Sequence, residues 1–249
     1  MSTTTIAAPQ ARQHPIETQV STVDASWAPL YPLAGVAVLA QVALIAIQIP
    51  LFILRPPPAT IDGWFSLYER NPLLGFLNLD GLMLVNCALM FPILLALYAA
   101  LRGTSTPLMT LALALGTIAN ALGFVWNASI TMLAYSDHYA AATTEADRVA
   151  FLAAGQALLT NHISGTPFVA YYLLSSATVL IVGAVMLRSG VFGKATAYAA
   201  ILAGLLTLLP PTEDAGAIGL AVAVAALIPM SVWFILVARD LFRLRGDAS

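Results

Sequence analysis

Charge is what this 249-residue sequence has least of. Asp, Glu, Lys and Arg make up 9% of it, against about a quarter of a soluble domain. Hydrophobic residues account for 60%, and the mean hydropathy is +0.88. So few charges cannot cover a water-facing surface, which excludes an ordinary soluble globule and makes a membrane protein the expectation. One cysteine, Cys87, excludes a disulfide framework and a cysteine metal site. Three histidines, His14, His138 and His162, with no H-E-x-x-H spacing leave no short zinc motif. The net charge of −2 and the scatter of Lys and Arg argue against a nucleic-acid partner. Walker and dinucleotide glycine patterns are absent, as is a G-x-S-x-G elbow. No cofactor and no metal is expected.

What the sequence does have is long apolar blocks. Six of them approach the ~20 residues that cross about 30 Å of hydrocarbon: 31–54, 79–101, 108–135, 167–187, 191–209 and 215–237. The fifth is the shortest and ends at Pro210-Pro211. The expected fold is all-α, a polytopic transmembrane helical bundle of six spans with short interfacial helices in the outer loops. Residues 1–29 are polar and rich in Thr, Ala and Pro, without a basic segment leading into an apolar one. They are expected to form a flexible cytoplasmic tail rather than a signal peptide. Residues 30–244 would form the six-helix domain and 245–249 a C-terminal tail.

Lys and Arg set the orientation. Arg12, Arg102, Arg188, Lys194, Arg239, Arg243 and Arg245 fall on one side of such a bundle, and Arg55, Arg70 and Arg148 on the other. Seven against three predicts that both termini are cytoplasmic. Loop length is also unequal, because the long connections, 55–78 and 136–166, lie on the outer side. In the first, Asp62 is expected to N-cap a short helix, GWFSLYER, whose Trp64, Phe65 and Tyr68 read as interfacial anchors. In the second, Thr143 or Thr144 would cap a surface-lying helix with Glu145 and Asp147 in its first turn.

Inside the third block, Gly116, Asn120, Gly123, Asn127 and Thr131 recur at steps of four, three, four and four. On one continuous helix those steps share a face. An unpaired amide in hydrocarbon costs several kcal/mol, roughly, so this stripe should face other helices. Its Gly116 end reads as packing. Its Asn127 end points toward the elaborated outer loops, where function is expected. Ala119/Gly123 and Ala200/Gly204 are small-xxx-small pairs suited to close helix crossings.

Some pieces of the chain are more particular. They are Asn78-Leu79-Asp80, the polar third block, RSGVFGKATAYAAILAGLL after the fourth, and WFILVARDLFRL at the end of the sixth. In these features 31–244 resembles the bacterial membrane proteins of the domain of unknown function 4386 family. The R-S-x-x-F-x-K/R and W-x-x-x-x-A/G-x-x-L segments carry the resemblance best. It implies a bacterial cytoplasmic membrane, and it supplies no activity and no catalytic residues.

Five polar residues are candidates for a site: Asp80, Asn120, Asn127, His162 and Glu213. In the expected topology Asp80, Asn127, His162 and Glu213 share one level near the outer leaflet, with Asn120 deeper. The leading expectation is an outward-facing polar pocket that binds a small or lipidic molecule, with membrane lipids as the other partner. The first alternative is a hydrolase-like intramembrane enzyme built from Asp80, Asn127 and His162. The second is a structural or regulatory membrane partner in which the stripe only locks helices together. Asp80 also has a bland reading as the N-cap of the second span, and Asn120 and Asn127 have one as interhelical hydrogen bonds.

Overall fold

In the computed structural model, which describes residues 25–211 and 216–247, a 3-10 turn at Ala25–Trp27 precedes ten α-helices. Among the described residues there is no strand. The helices are α1 (Leu30–Leu54), α2 (Ile61–Arg70), α3 (Pro72–Asn78), α4 (Leu82–Leu101), α5 (Thr106–Trp126), α6 (Ser129–Ala141), α7 (Glu145–Ser164), α8 (Thr166–Arg188), α9 (Lys194–Leu206) and α10 (Gly216–Asp247). The expected tail falls almost wholly in 1–24, outside the described residues, and Glu213 lies outside them too.

Five helical stretches are long and apolar enough to cross a membrane. Leu33, Val36, Ile53, Val125, Val224 and Ile228 stand on their outer surfaces more than half exposed, as a lipid-facing belt requires. The fifth expected span is the exception. α9 has 13 residues, about 20 Å at 1.5 Å per residue.

α1, α4, α5, α8, α9 and α10 pack in chain order into a closed ring, each on the next and α10 back on α1. Small residues set the spacing. Gly123 lies against Cys87 and Tyr171, Gly204 against Leu180, and Gly183 against Ala200 and Ile201, so both small-xxx-small pairs sit at helix crossings. Proline occupies the first turn of α3, α5 and α8, where no helical N–H is lost. Only α1, α4 and α10 carry an interior proline (Pro50, Pro92 and Pro229), and these three helices are neighbours in the ring.

One end of the ring gathers basic residues. There Thr196 donates to the buried Asp240 at 3.0 Å, Arg239 lies 2.8 Å from the same carboxylate, and Phe242 covers Gly35. The N-termini of α1 and α9 and the C-terminus of α10 therefore share this end. The Thr196–Asp240 bond thus ties the start of α9 to the end of α10.

The other end carries a cap made of α2, α3, α6 and α7, which pack on one another. Its core is Trp64, Phe65, Tyr68, Leu79, Ala128, Met132 and Leu159. The three aromatics expected as interfacial anchors thus face inward, with exposures of 4%, 2% and 1%. The N-cap of α2 is Thr60, whose hydroxyl accepts from Gly63 N at 3.2 Å, and Asp62 sits in the first turn instead. The cap of α7 is Thr144, bonded to Asp147 N at 3.1 Å, as expected.

The third block is not one helix. The chain leaves helical geometry at Asn127 (φ −65°, ψ 119°) and re-enters it at Ser129. Neither proline nor glycine causes the break. The Asn127 side chain accepts from both Ser129 N and Ser129 Oγ, so a local side-chain turn replaces the helical ladder. Asn127 consequently leaves the stripe, and Thr131 is exposed on α6.

Candidate functional site

A cavity of about 260 Å³ occupies the centre of the ring. It is lined from α1, α4, α5, α8 and α10 and by Thr207 just after α9. Along α5 it runs from Trp126 to Gly116, which is ten residues, or about 15 Å of rise. That is about half the ~30 Å thickness of a hydrocarbon layer.

Asp80 stands at the cap end of this cavity, in the turn between α3 and α4. Its φ of 61° is the only positive value at a non-glycine among the described residues. A left-handed Asp costs on the order of 1 kcal/mol and persists only where its surroundings hold it. Here they do. Asn127 Nδ2 donates to the Asp80 carbonyl at 2.8 Å, Met83 N donates to it at 3.0 Å, and Gln48 Nε2 donates to Oδ1 at 3.3 Å. The carboxylate does not cap α4, whose N-cap is Gly81 without a side-chain bond. The N-cap reading of Asp80 is therefore corrected, because the left-handed turn directs the side chain to the cavity and to α1.

Asn120 lies deeper on the same wall and is 2% exposed. Its Nδ2 donates to Gly116 O in its own helix at 2.6 Å, while Oδ1 has no partner. Two more lining groups share that state: the indole N–H of Trp126 and that of Trp233, on side chains 3% and 2% exposed. All three atoms are buried within the wall, and Gln41 Oε1 and Asn78 Oδ1, on side chains away from this cavity, lack partners too.

Asn127 has the opposite character. Its amide nitrogen holds the Asp80 carbonyl and its oxygen closes the Ser129 turn, so it builds the wall and does not face the cavity. His162, 6% exposed, is equally committed. Its Nδ1 lies 3.3 Å from both Ala128 N and Trp126 O, and its ring packs on Trp126 at 4.6 Å. It is not among the cavity residues. His138 stacks on Phe151 in the cap. Among the described residues no three His, Cys, Asp or Glu gather as metal ligands.

Sequence reasoning missed most of the cavity. Trp126, Tyr171, Tyr172, Trp233 and Phe234 line it with Met83, Met90 and Met230, and an aromatic in an apolar span carries no mark of which way it faces. A second cavity of about 150 Å³ lies between α1 and α4 and shares Ile45, Asp80, Met83 and Asn86 with the first. The Gln48–Asp80 bond crosses that seam.

No family model matches this chain, and neither a curated protein nor a solved structure does.

Proposed function

We propose that the chain crosses a membrane six times and holds a small or lipidic molecule in the cavity enclosed by its ring. The observation that carries this reading is the cavity itself, a space of about 260 Å³ inside the ring whose wall carries five aromatic side chains with Asp80, Asn86 and Asn120. An occupant with both apolar surface and polar atoms matches that mixed wall, and at about 260 Å³ the space is just below the usual 300–1,000 Å³ of ligand pockets. Alternation of direction around the ring supports counting α9 as a sixth crossing. With α1 starting and α10 ending at the same end, the number of crossings is even. The basic end is then cytoplasmic and the cap faces outward, in the bacterial cytoplasmic membrane that the family resemblance implies.

No observation favours the hydrolase-like alternative, since His162 is held by the α5–α6 turn rather than offered to Asp80. Purification in lipid nanodiscs followed by native mass spectrometry tests the proposal. Wild-type protein is expected to carry a discrete mass increment that an Asn120→Leu variant lacks. Equal masses for both, with no small-molecule quenching of Trp126 and Trp233 fluorescence, would sink it.

A further inference from the structure

The chemistry of the cavity wall narrows the class of occupant, an inference that rests on the binding reading above. Five aromatic rings, Trp126, Tyr171, Tyr172, Trp233 and Phe234, line it together with one carboxylate, Asp80. No Lys, Arg or His is among the lining residues. On the α5 and α8 side the rings hold one another in place, because Phe168 behind them closes the circuit, 5.2 Å from Trp126 and 4.9 Å from Tyr172. Trp126 meets Tyr171 at 6.0 Å, Tyr171 meets Tyr172 edge-on at 5.5 Å, and Trp233 lies on Phe234 at 5.2 Å from the opposite helix. Aromatic faces carry negative potential, and several around one space form the usual cage for an ammonium group. Asn120 Oδ1, a free acceptor, adds to the same sign of field.

An anion is disfavoured here, because it would meet a carboxylate and ring faces with no cation to offset its desolvation. A purely apolar molecule would leave the Asp80 carboxylate in the wall without a counter-charge. We infer that the cavity takes a small lipophilic organic cation, an amine or quaternary ammonium whose charge sits among the aromatic rings near Asp80. The ammonium lies toward the carboxylate.

Benzoylcholine and its uncharged carbon isostere, 3,3-dimethylbutyl benzoate, separate this class from the alternatives. The two differ only in whether a nitrogen or a carbon bears the three methyl groups. Binding to the full chain in nanodiscs is read by tryptophan quenching and calorimetry, with empty nanodiscs subtracted. The cation is expected to bind wild-type protein at least tenfold more tightly than the isostere. In Asp80→Asn and Trp233→Leu that preference falls to within twofold. Asparagine tolerates the left-handed backbone that position 80 requires, so Asp80→Asn keeps the turn, and an unchanged unfolding midpoint checks it. If the isostere binds wild type as tightly as the cation, or if the preference survives in both variants, the cation inference is overturned while the cavity remains a binding site. If neither compound binds and native spectra of the wild type show no increment, the binding reading falls with it.

Discussion

The cap and the cavity are built from the same kinds of residue and use them in opposite ways. In the cap, Tyr68 OH donates to Ser129 O at 2.9 Å, Ser136 Oγ donates to Phe65 O at 3.0 Å, and Asn78 Nδ2 reaches Arg55 O at 3.0 Å. Each of these bonds joins segments remote in sequence. In the cavity, Asn120 turns its amide nitrogen back on its own helix and leaves its oxygen unmet, and two indoles leave their N–H groups unmet. Asn120 and Asn127 lie seven residues apart on what reads as a single face. One belongs to each region. The difference shows that polarity inside an apolar chain is not one signal. Asn127, with both ends of its amide bonded, joins elements of the fold, whereas Asn120 lies beside the cavity with its oxygen unmet, a state it shares with Asn78 Oδ1 at the cap.

Breaking the cap side should cost most. Asn127→Ala removes the bond to the Asp80 carbonyl and both bonds that close the Ser129 turn. Stranding buried backbone groups costs roughly 1–3 kcal/mol for each bond lost. A fall of about 3 kcal/mol in unfolding free energy is expected in denaturant titrations in mild detergent. A loss under about 0.5 kcal/mol, which is what surface substitutions give, would mean that Asn127 is not structural.

Gly123 lies at the junction of the two regions and tests packing rather than bonding. A Cβ there runs into Cys87 Sγ and comes within 3.5 Å of the Tyr171 ring. Gly123→Ala is expected to cost about 2 kcal/mol by overpacking. The double variant with Cys87→Ala should recover most of it in a double-mutant cycle. Simple additivity would show that the two helices do not meet there. A smaller effect is expected for Tyr68→Phe, which leaves Ser129 O without its donor and should cost about 1 kcal/mol, read in the same titration, with binding of any cavity ligand unchanged.

The all-helical character and the membrane-length helices were legible in the sequence, because length and apolarity of a run are what a bilayer-sized helix requires. Spans 31–54 and 79–101 match α1 and α4 closely, and the capping threonine of α7 was readable from Thr144 and Asp147. The break at Asn127 was not. Asn-Ala-Ser contains no helix breaker, and the turn forms only because Ser129 and Asp80 both bond the Asn127 side chain. That one break inverted the expected division of labour along the stripe. The inner half, read as packing, lines the cavity, and the outer half, read as the place for function, is scaffold. Trp64, Phe65 and Tyr68 misled for a related reason, since an aromatic beside a span packs inward once another helix covers it.

The smallest effect on stability is expected from the variant that matters most for the cavity, Asn120→Leu. The Asn120 side chain contributes one bond, to a carbonyl one turn back in its own helix, and that bond holds no two elements together. Leucine has the better helix propensity and removes an acceptor that is desolvated without return. The two terms offset the lost bond, so unfolding free energy should stay within about 0.5 kcal/mol of wild type. Ligand occupancy should nonetheless be lost, because the free carbonyl becomes a branched alkyl group inside the space. Asn127→Leu provides the contrast: the same exchange seven residues later should destabilise as Asn127→Ala does. If Asn120→Leu destabilises by 2 kcal/mol or more, the amide is bonded across the ring and the distinction between the two asparagines collapses. A neutral change with binding lost would leave Asn120 as a group kept at the centre of the ring for its ligand and not for the fold.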